Sequence, residues 1–561
     1  MAGLLVLCLG IASAAEENTQ AAEEKEQMKK ELQLADDITK ETIVGPGSIQ
    51  VQTGKDILMS FGSTVRIIPT SESNWDFGMS ESTDGFGKIG DGAPLVGPEF
   101  FKAHPNESGW VRDGYVRTEV KLHFNAMPRD RVWSFYAALE YDRPLDTQTV
   151  DERGGRSFET SNFGLERLHI SYKLPLDLRL HAGWDIWHVD AIEAASMVYG
   201  DDNPGFWLTG GDEDTLSYNV GYFKLFENDW QVNPLDFDSA KDADRDLYAG
   251  YLTWKPNQGH KLQGFYTFDR IRNVGVTDYK GAIVDTVLGT SPEFYPDVDS
   301  HHLGAWYIGN LGNFELFLEG VYQFGSADGT GLSNEGFAED YDINAYAFAA
   351  DLSFEFKGIF TGFPLKPHIG ILYTSGDDDV NDDTLGGYNG NVNAQRFSQR
   401  FGGENTILGD TNYVYGSALY GYIPEFYGNG TPVFTGGLQN FAGTGNGRGD
   451  NPGITMISAG LTVAPKVFLI YKTNVNFFSW NEDILVANFV DLLGEDTKVS
   501  SGYAGTAWDN EITLATSKHS FLRGQFSWFF PGSVLEDVTA ALGAPADDTA
   551  MRLAAELIIN F

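Results

Sequence analysis

Apolar and polar residues alternate along this chain from about residue 55 to its last residue, and this pattern limits the possible folds more than any other feature. A period of two places successive side chains on opposite faces of a β-strand. Two clear examples have one face formed by Val116, Thr118, Val120, Leu122 and Phe124, and by Leu176, Leu178, Leu180, Ala182 and Trp184. Strands with one apolar face build either a soluble sandwich or a membrane barrel.

The connections between these segments favour the barrel. Very short connections at 173–175, 256–259, 310–313, 464–466 and 517–519 alternate with long polar segments, the longest from about 376 to 450. Short turns at one end and long loops at the other are typical of outer-membrane barrels.

Counting the crossings between successive turns and loops predicts an all-β, antiparallel transmembrane barrel of about 18 strands, with 16 as the alternative. The higher count requires a short strand at 205–209, turned by residues 211–214. The predicted strands lie near 55–68, 112–125, 131–142, 161–173, 176–187, 204–210, 215–226, 246–256, 260–270, 300–309, 313–325, 341–357, 365–375, 451–464, 466–479, 507–517, 519–530 and 549–561.

The C-terminal segment has the form of a final barrel strand. One apolar face ends in a terminal aromatic residue and consists of Met551, Leu553, Ala555, Leu557, Ile559 and Phe561. A last strand ending in an aromatic residue resembles the assembly signal of outer-membrane proteins. We therefore expect the barrel-assembly machinery to recognise this chain through Phe561.

The N-terminus has the features of an export signal. Residues 1–15 form an apolar run that ends in the small-residue pattern Ala12-Ser13-Ala14, and they are too few to span a bilayer as a helix. Residues 16–50 are polar and begin with a run of helix formers, which predicts a helical or flexible periplasmic segment before a barrel over 51–561. A short coiled coil or a plug inside the pore is the alternative for this segment.

Composition excludes several classes of partner and site. The formal charge is -41, which disfavours nucleic acid because the phosphate backbone would be repelled. Aromatic residues make up 14% of the chain, more than a disordered acidic protein would carry. The only cysteine is Cys8, inside the predicted signal, so a disulfide framework and a Cys-based zinc site are excluded. The sequence predicts no cofactor.

Two motifs near the C-terminal end resemble a known family. Thr374-Ser375-Gly376-Asp377-Asp378-Asp379 ends a predicted strand and opens the longest loop. Trp508-Asp509-Asn510-Glu511 later leads into Phe529-Phe530-Pro531-Gly532. Together they resemble the alginate-export family of outer-membrane porins over about the last 190 residues. The resemblance implies a monomeric barrel of about 18 strands, and export of an anionic polysaccharide for its founding member.

The polar face of each strand is expected to line the lumen. Its predicted basic members are Arg66, Arg117, Lys121, Arg167, Lys173, Arg179, Arg523 and Arg552, and its acidic members on the middle strands are Glu315, Glu319, Asp351 and Glu355. Because the first strand pairs with the last, the basic residues should gather on one wall opposite the acidic ones. Such walls would favour anions in the pore, or the charges would pair with one another as structural networks.

Other candidate sites are weak. Asp377, Asp379, Asp382 and Asp383 form an acidic cluster, but the glycine and glutamate expected at positions 6 and 12 of an EF-hand loop are absent, so a solvated loop competes with weak Ca²⁺ binding. No serine motif or His-Asp grouping indicates an enzyme.

The resulting hypothesis is a porin in the outer membrane of a Gram-negative bacterium that lets small hydrophilic solutes, with anions as one option, diffuse passively. The expected partners are these solutes and outer-membrane lipid. Export of an anionic polysaccharide, or a structural barrel around a periplasmic partner, are the alternatives. The long loop at 376–450 is a candidate for folding inward and setting the size of the pore.

Overall fold

The structure is a computed structural model of the full chain. It describes residues 49–52, 57–74, 77, 86–88, 94–96, 112–144, 164–191, 197–201, 203–227, 244–272, 296–330, 338–356, 362–391, 401, 433–437, 447–486, 497–541, 545 and 547–561. The predicted signal over 1–15 and nearly all of the segment over 16–50 lie outside these residues. Ile49 and Gln50, at the end of that segment, belong to a short strand, Ile49–Gln52, which pairs with Leu58–Phe61.

Eighteen antiparallel strands form one closed barrel. They are β1 (Ile57–Ser73), β2 (Arg112–Pro128), β3 (Trp133–Pro144), β4 (Gly164–Lys173), β5 (Arg179–Trp184), β6 (Gly205–Asp212), β7 (Leu216–Phe226), β8 (Arg245–Asn257), β9 (His260–Ile271), β10 (Asp297–Leu311), β11 (Phe314–Asp328), β12 (Tyr341–Phe354), β13 (Leu365–Thr374), β14 (Ile454–Lys466), β15 (Leu469–Trp480), β16 (Gly502–Ala515), β17 (Ser520–Pro531) and β18 (Ala550–Asn560).

Each strand pairs with its neighbours in the chain, and β18 closes the barrel on β1. The register at this seam places Thr64 opposite Asn560 and Ser73 opposite Met551. Phe561 completes the seam, because its backbone exchanges hydrogen bonds with Ser63 (2.8 and 3.0 Å). The predicted architecture and the count of 18 are therefore confirmed, including the short β6 on which that count depended.

One predicted strand begins later than expected. Leu176 and Asp177 do not belong to β5; they form the turn after β4, with φ angles of 64° and 56°. Leu176 is 90% exposed at the tip of this turn. Leu176 fits the alternating pattern only by chance. A two-residue period does not distinguish the last residues of a turn from the first residues of a strand.

The outer face of the barrel is apolar. In β12 buried and exposed positions alternate strictly over most of the strand. Large apolar side chains point outward all round the wall, among them Phe206, Val220, Leu303, Ile369 and Ile559. Only a closed barrel satisfies every backbone group of a sheet within lipid. The even number of strands, the short turns and the long loops are those of a bacterial outer-membrane barrel, and the chain is a multi-pass protein of that membrane.

The described residues include one α-helix, α1 (Ser533–Ala541), in the loop between β17 and β18. Its Val534, Leu535 and Val538 are buried against the loop end of the barrel. No helix among the described residues is long and apolar enough to cross a membrane.

Candidate pore constriction

The wall around the seam, formed by β16–β18 and β1–β5, holds the predicted basic residues. Arg66 on β1 donates to Glu119 on β2 (2.6 Å) and to Glu556 on β18, so one guanidinium links three strands across the closure. Arg523 on β17 contacts the same Glu556 (3.0 Å) and lies 3.8 Å from Glu511. Both arginines face the lumen and are buried.

The next strands repeat this arrangement. The ammonium of Lys121 on β2 lies 2.6 Å from Glu166, 3.3 Å from Glu140 and 3.9 Å from Glu119. Arg167 on β4 lies 3.4 Å from Glu166. The seam wall therefore collects the predicted basic residues, but strand carboxylates compensate most of their charge locally.

Two of the predicted pore-lining residues lie at the end of the barrel where the turns are. Lys173 forms an exposed ion pair with Asp177 in the turn after β4 (3.1 Å). Arg179 donates to the hydroxyl of Ser171 and to the carbonyl of Arg131, both at 2.7 Å. They belong to the rim rather than to a mid-lumen constriction. Arg117 and Arg552 lie on the seam wall, and Arg552 is buried.

The opposite wall carries the predicted acidic residues, but in different surroundings. Glu315 on β11 forms a half-buried ion pair with Lys366 (3.3 Å). Asp351 on β12 accepts from His368 (2.7 Å). Glu319 on β11 is buried beside Trp306, whose indole N–H donates to the loop that carries Asp190.

That loop, residues 185–204 as far as they are described, is named here the first inward loop. The carbonyl of Val189 accepts hydrogen bonds from Gln263 (2.6 Å) and Trp306 (2.9 Å). Gln263 is only three residues from the start of β9, next to a short turn. The loop therefore starts at the long-loop end of the barrel and descends through most of the lumen.

Aromatic packing holds the first inward loop against β6 and β7. The rings of Trp187 and Phe223 are 4.7 Å apart, and those of Tyr199 and Phe223 are 5.9 Å apart. Such pairs stabilise a contact by about 0.5–1.5 kcal/mol beyond the burial of their area. The side chain of Asp190 fixes the turn itself by accepting from the backbone N–H groups of Met197, Val198 and Tyr199.

The second inward loop comprises the described parts of residues 375–453. The predicted inward folding of the long loop is correct for these parts, which lie against β8–β12. Arg245 on β8 pairs with Asp269 on β9 (2.5 Å) and donates to the backbone carbonyls of Gly437 (2.6 Å) and Asn391. The side chain of Asn391 is bound in turn by Thr267 (2.8 Å).

A second set of contacts fixes the same loop one strand further on. The backbone N–H of Asn389 donates to Gln323 on β11 (2.8 Å), and Gln323 donates to the carbonyl of Thr435 (3.0 Å). His302 on β10 contacts the carbonyl of Asn389 (2.7 Å). His301 lies on the outer face between Phe268 and Phe324, so the alternation of the strand places the two histidine rings on opposite faces of the wall.

The two inward loops also bind each other. The N–H of Asn391 donates to the carbonyl of Val198 (2.7 Å), and the hydroxyl of Tyr388 donates to that of Met197 (2.9 Å). Gly390 allows this approach, because a Cβ there would lie 2.4 Å from the Met197 oxygen. Together the loops form a constriction that narrows the lumen from the side opposite the seam.

Sequence reasoning missed the residues that fasten these loops, chiefly Arg245, Asp269, Gln323 and Asp190. The strand residues among them stand at inward positions and belong to the polar face by parity. Arg245 and Gln323 bind backbone groups of segments far away in the sequence, and Asp269 holds Arg245, so no local pattern indicates these contacts.

The acidic cluster forms turns rather than a cage of ligands. Asp377 accepts from the N–H groups of Asp379 (3.1 Å) and Gly386 (3.2 Å), and Asp382 accepts from that of Thr384 (2.7 Å). Burial and the nearby Asp450 raise the pKa of Asp377 to about 7. In the part of the chain that the structure describes, no group of three or more His, Cys, Asp or Glu side chains is arranged to hold a metal ion. Binding of Ca²⁺ by this cluster stays a prediction.

Comparison with solved structures finds other barrels. A BenF-like porin from Pseudomonas fluorescens Pf-5 is 10% identical with a TM-score of 0.44, covering 90% of this chain and 99% of that one. OccAB2 from Acinetobacter baumannii is 11% identical with a TM-score of 0.44, covering 90% and 98%. OccK11 (OpdR) from Pseudomonas aeruginosa is 9% identical with a TM-score of 0.43, covering 89% and 96%. No family model matches the chain. No curated protein matches it either.

Proposed function

We propose that this chain is a porin, a passive channel for small hydrophilic solutes whose size limit is set by the two inward loops. The observation that carries the proposal is the way these loops are fastened. Arg245 and Gln323 are buried on the wall and bind loop backbone directly, and the buried Asp269 holds Arg245 in place. A segment held by buried polar contacts keeps its place in the lumen, since leaving those groups unpaired would be costly.

The proposed path of the solute follows the seam wall, on the side opposite the inward loops. This wall carries guanidinium and ammonium groups at successive strands, and the inward loops pack against the opposite wall. Anionic solutes are the proposed preference, because exchange of a solute carboxylate or phosphate for a wall carboxylate preserves charge-assisted hydrogen bonds. The local pairing of Arg66 and Lys121 with Glu119 makes this preference modest.

Single-channel recording in a planar bilayer tests the proposal. The purified full-length protein should give a steady open conductance, and its reversal potential under a KCl gradient should show a weak anion preference. Lys121→Gln should shift that reversal potential toward cations. Lys498→Gln is the matched control, since the Lys498 side chain is 65% exposed outside the barrel strands.

Two other results would redirect the proposal. A cation preference in the native protein would mean that the acidic loops dominate the field at the mouth of the pore. A closed barrel with no conductance would contradict the general-porin function. It would favour export of an anionic polysaccharide, which the C-terminal motifs imply, or a structural barrel around a periplasmic partner.

Recognition by the barrel-assembly machinery through Phe561 is part of the same proposal. The ring of Phe561 is 46% exposed on the outer face, where another protein can reach it before the barrel is inserted.

A further inference from the structure

Two histidines of the lumen wall bind each other beside the start of the first inward loop. Both lie on the inward face, His169 two positions from Arg167 on β4 and His181 two positions from Arg179 on β5. Nε2 of His169 and Nδ1 of His181 are 2.8 Å apart. The residue directly opposite His169 is Gly183, which has no side chain, and the diagonal neighbour His181 meets its ring instead. Diffusion of solutes does not by itself require this contact.

Both outer ends of the histidine pair also have partners. Nδ1 of His169 lies 3.4 Å from a carboxylate oxygen of Asp185, where β5 leads into the first inward loop. Nε2 of His181 lies 3.0 Å from the hydroxyl of Thr209 on β6. The indole of Trp207 stacks on both imidazoles, with centroid distances of 5.0 and 5.1 Å. The two rings therefore form the middle of a chain that runs from Asp185 to Thr209.

The geometry of this chain limits the number of protons that the pair holds. Two neutral imidazoles have four ring nitrogens and two N–H groups. Every nitrogen has a partner when His181 donates to His169, His169 donates to Asp185, and the hydroxyl of Thr209 donates to Nε2 of His181. One further proton fits at that Nε2, which then donates to the Thr209 oxygen. A second would put two N–H groups face to face at 2.8 Å, so the pair takes up one proton as a unit.

The charged groups around the pair act in both directions. Asp185 favours the added proton, and its other oxygen lies 3.9 Å from the guanidinium of Arg167. That guanidinium is also 3.4 Å from Glu166. Arg179 acts against the proton, although it is directed to the hydroxyl of Ser171 at 2.7 Å. The acidic and basic neighbours therefore offset one another, and none of them replaces the proton between the rings.

The other groups that face the pair carry no charge near neutral pH. Tyr136 on β3, opposite the first ring, is a phenol. Trp207 and Thr209 on β6 do not titrate. His123 on β2 lies two strands away, beyond Ala138 on β3. Because histidine changes its charge between about pH 5 and 8, the charge of this part of the wall follows the pair.

We propose that His169 and His181 share one added proton in mildly acidic solution, and that its charge raises the anion preference of the channel as pH falls. The inference rests on the proposed channel function. The side chains of His169 and Asp185 are 14% and 27% exposed, so the pair is in reach of water in the lumen. It borders the seam wall, along which the proposed path of the solute runs. One added positive charge there attracts anions and repels cations.

Reversal potentials under a KCl gradient, recorded from pH 8 to pH 5, test this inference in the full-length protein. The native ratio of chloride to potassium permeability should rise at least about twofold as pH falls, as expected for one charge about 8 Å from the path. The double variant His169→Gln, His181→Gln should lose most of this rise. His519→Gln, the same substitution in an exposed turn, should keep it. A rise of native size in the double variant would overturn the proposal.

A count of protons separates failure of the histidine pair from failure of the channel. Solid-state 15N NMR of histidine-labelled protein in lipid reports the protonation of each ring nitrogen, and the single variants His169→Gln and His181→Gln assign the signals. Between pH 8 and pH 5 the pair should gain one proton, which leaves one of its four nitrogens unprotonated. A gain of two protons, or of none, would overturn the shared proton. A gain of one proton in a barrel that conducts nothing would support the shared proton and contradict the porin function alone.

Discussion

The two halves of the lumen wall share one alternating pattern but satisfy their inward side chains in different ways. Near the seam, Arg66 and Arg523 bind carboxylates on neighbouring strands, so the wall completes its own contacts. On the far side, Gln323 and Arg245 bind the backbone of the second inward loop. Polar residues at equivalent positions therefore stabilise the barrel closure in one half and the constriction in the other.

This difference shows that the polar side chains of the lumen do more than contact water, because some of them bind the loops that fill it. A base that is paired with acids on neighbouring strands, as Arg523 is with Glu511 and Glu556, contributes little to holding a loop. Where inward side chains keep hydrogen-bonding groups that the neighbouring strands do not satisfy, those groups can bind and orient a loop. The reason is that a buried polar group without a hydrogen-bond partner lowers the stability of the fold. The position of the constriction therefore depends on the inward side chains of the strands as much as on the loop residues.

The largest expected effect comes from removing the acid that anchors the far side. Asp269→Ala leaves Arg245 buried without a carboxylate, a loss of about 3–5 kcal/mol of stability. The second inward loop should detach, and the single-channel conductance should rise. Urea unfolding in lipid vesicles measures the stability, and bilayer recording measures the conductance.

The double variant Arg245→Met, Asp269→Leu serves as the control. It removes both charges and should recover most of the stability, yet it should keep the raised conductance because the loop anchors are still missing. A native conductance in both variants would show that this ion pair does not position the loop.

The seam should respond to a similar change with a smaller loss. Arg66→Met removes the guanidinium that joins β2, β1 and β18, but Glu119 retains Lys121 and Glu556 retains Arg523. We expect a loss of about 2 kcal/mol, below the range for a buried charge with no remaining partner. Conductance should change less than with Asp269→Ala. A larger rise in conductance with Arg66→Met than with Asp269→Ala would contradict the conclusion that the seam wall stabilises the closure while the far wall positions the loops.

The smallest effect concerns the start of the second inward loop and is seen only as pH changes. The pKa of Asp377 is raised to about 7, above that of an unfolded aspartate, so the folded state favours the protonated form. Its contribution to stability is present at low pH and is lost as pH rises through about 4 to 7, by at least about 1 kcal/mol. Thermal unfolding across this range should show the loss in the native chain and not in Asp377→Asn.

Much of the fold was predictable because it depends on local periodicity. Lipid outside and a polar lumen inside impose a two-residue period on every strand, and turn length distinguishes the two ends of the barrel. Even the weak strand β6 followed from parity, since an even number of crossings was required. The start of β5 was not predictable, because Leu176 and Asp177 continue the alternation through a turn.

Of the candidate site, only the residues that lie on strands were predictable from the sequence. Parity placed Arg66, Lys121, Arg523 and Glu319 at inward positions, and closure predicted that the basic set shares a wall. Pairing was left open, and the structure joins Lys121 to Glu119 on its own strand, to Glu140 on β3 and to Glu166 on β4. Asp190 gave no signal at all, because it lies in a loop with no periodic pattern.

By itself the sequence determined the class of this protein: a barrel of the outer membrane with a long loop and a charged lumen. Each of these properties follows from local sequence patterns, because every strand has lipid on its outer face and the lumen on its inner face. Only the tertiary structure decided where the loops lie and which charges neutralise one another. Such contacts join residues from different strands and loops, up to 490 positions apart for Arg66 and Glu556, and they form only once the closed wall has brought them together.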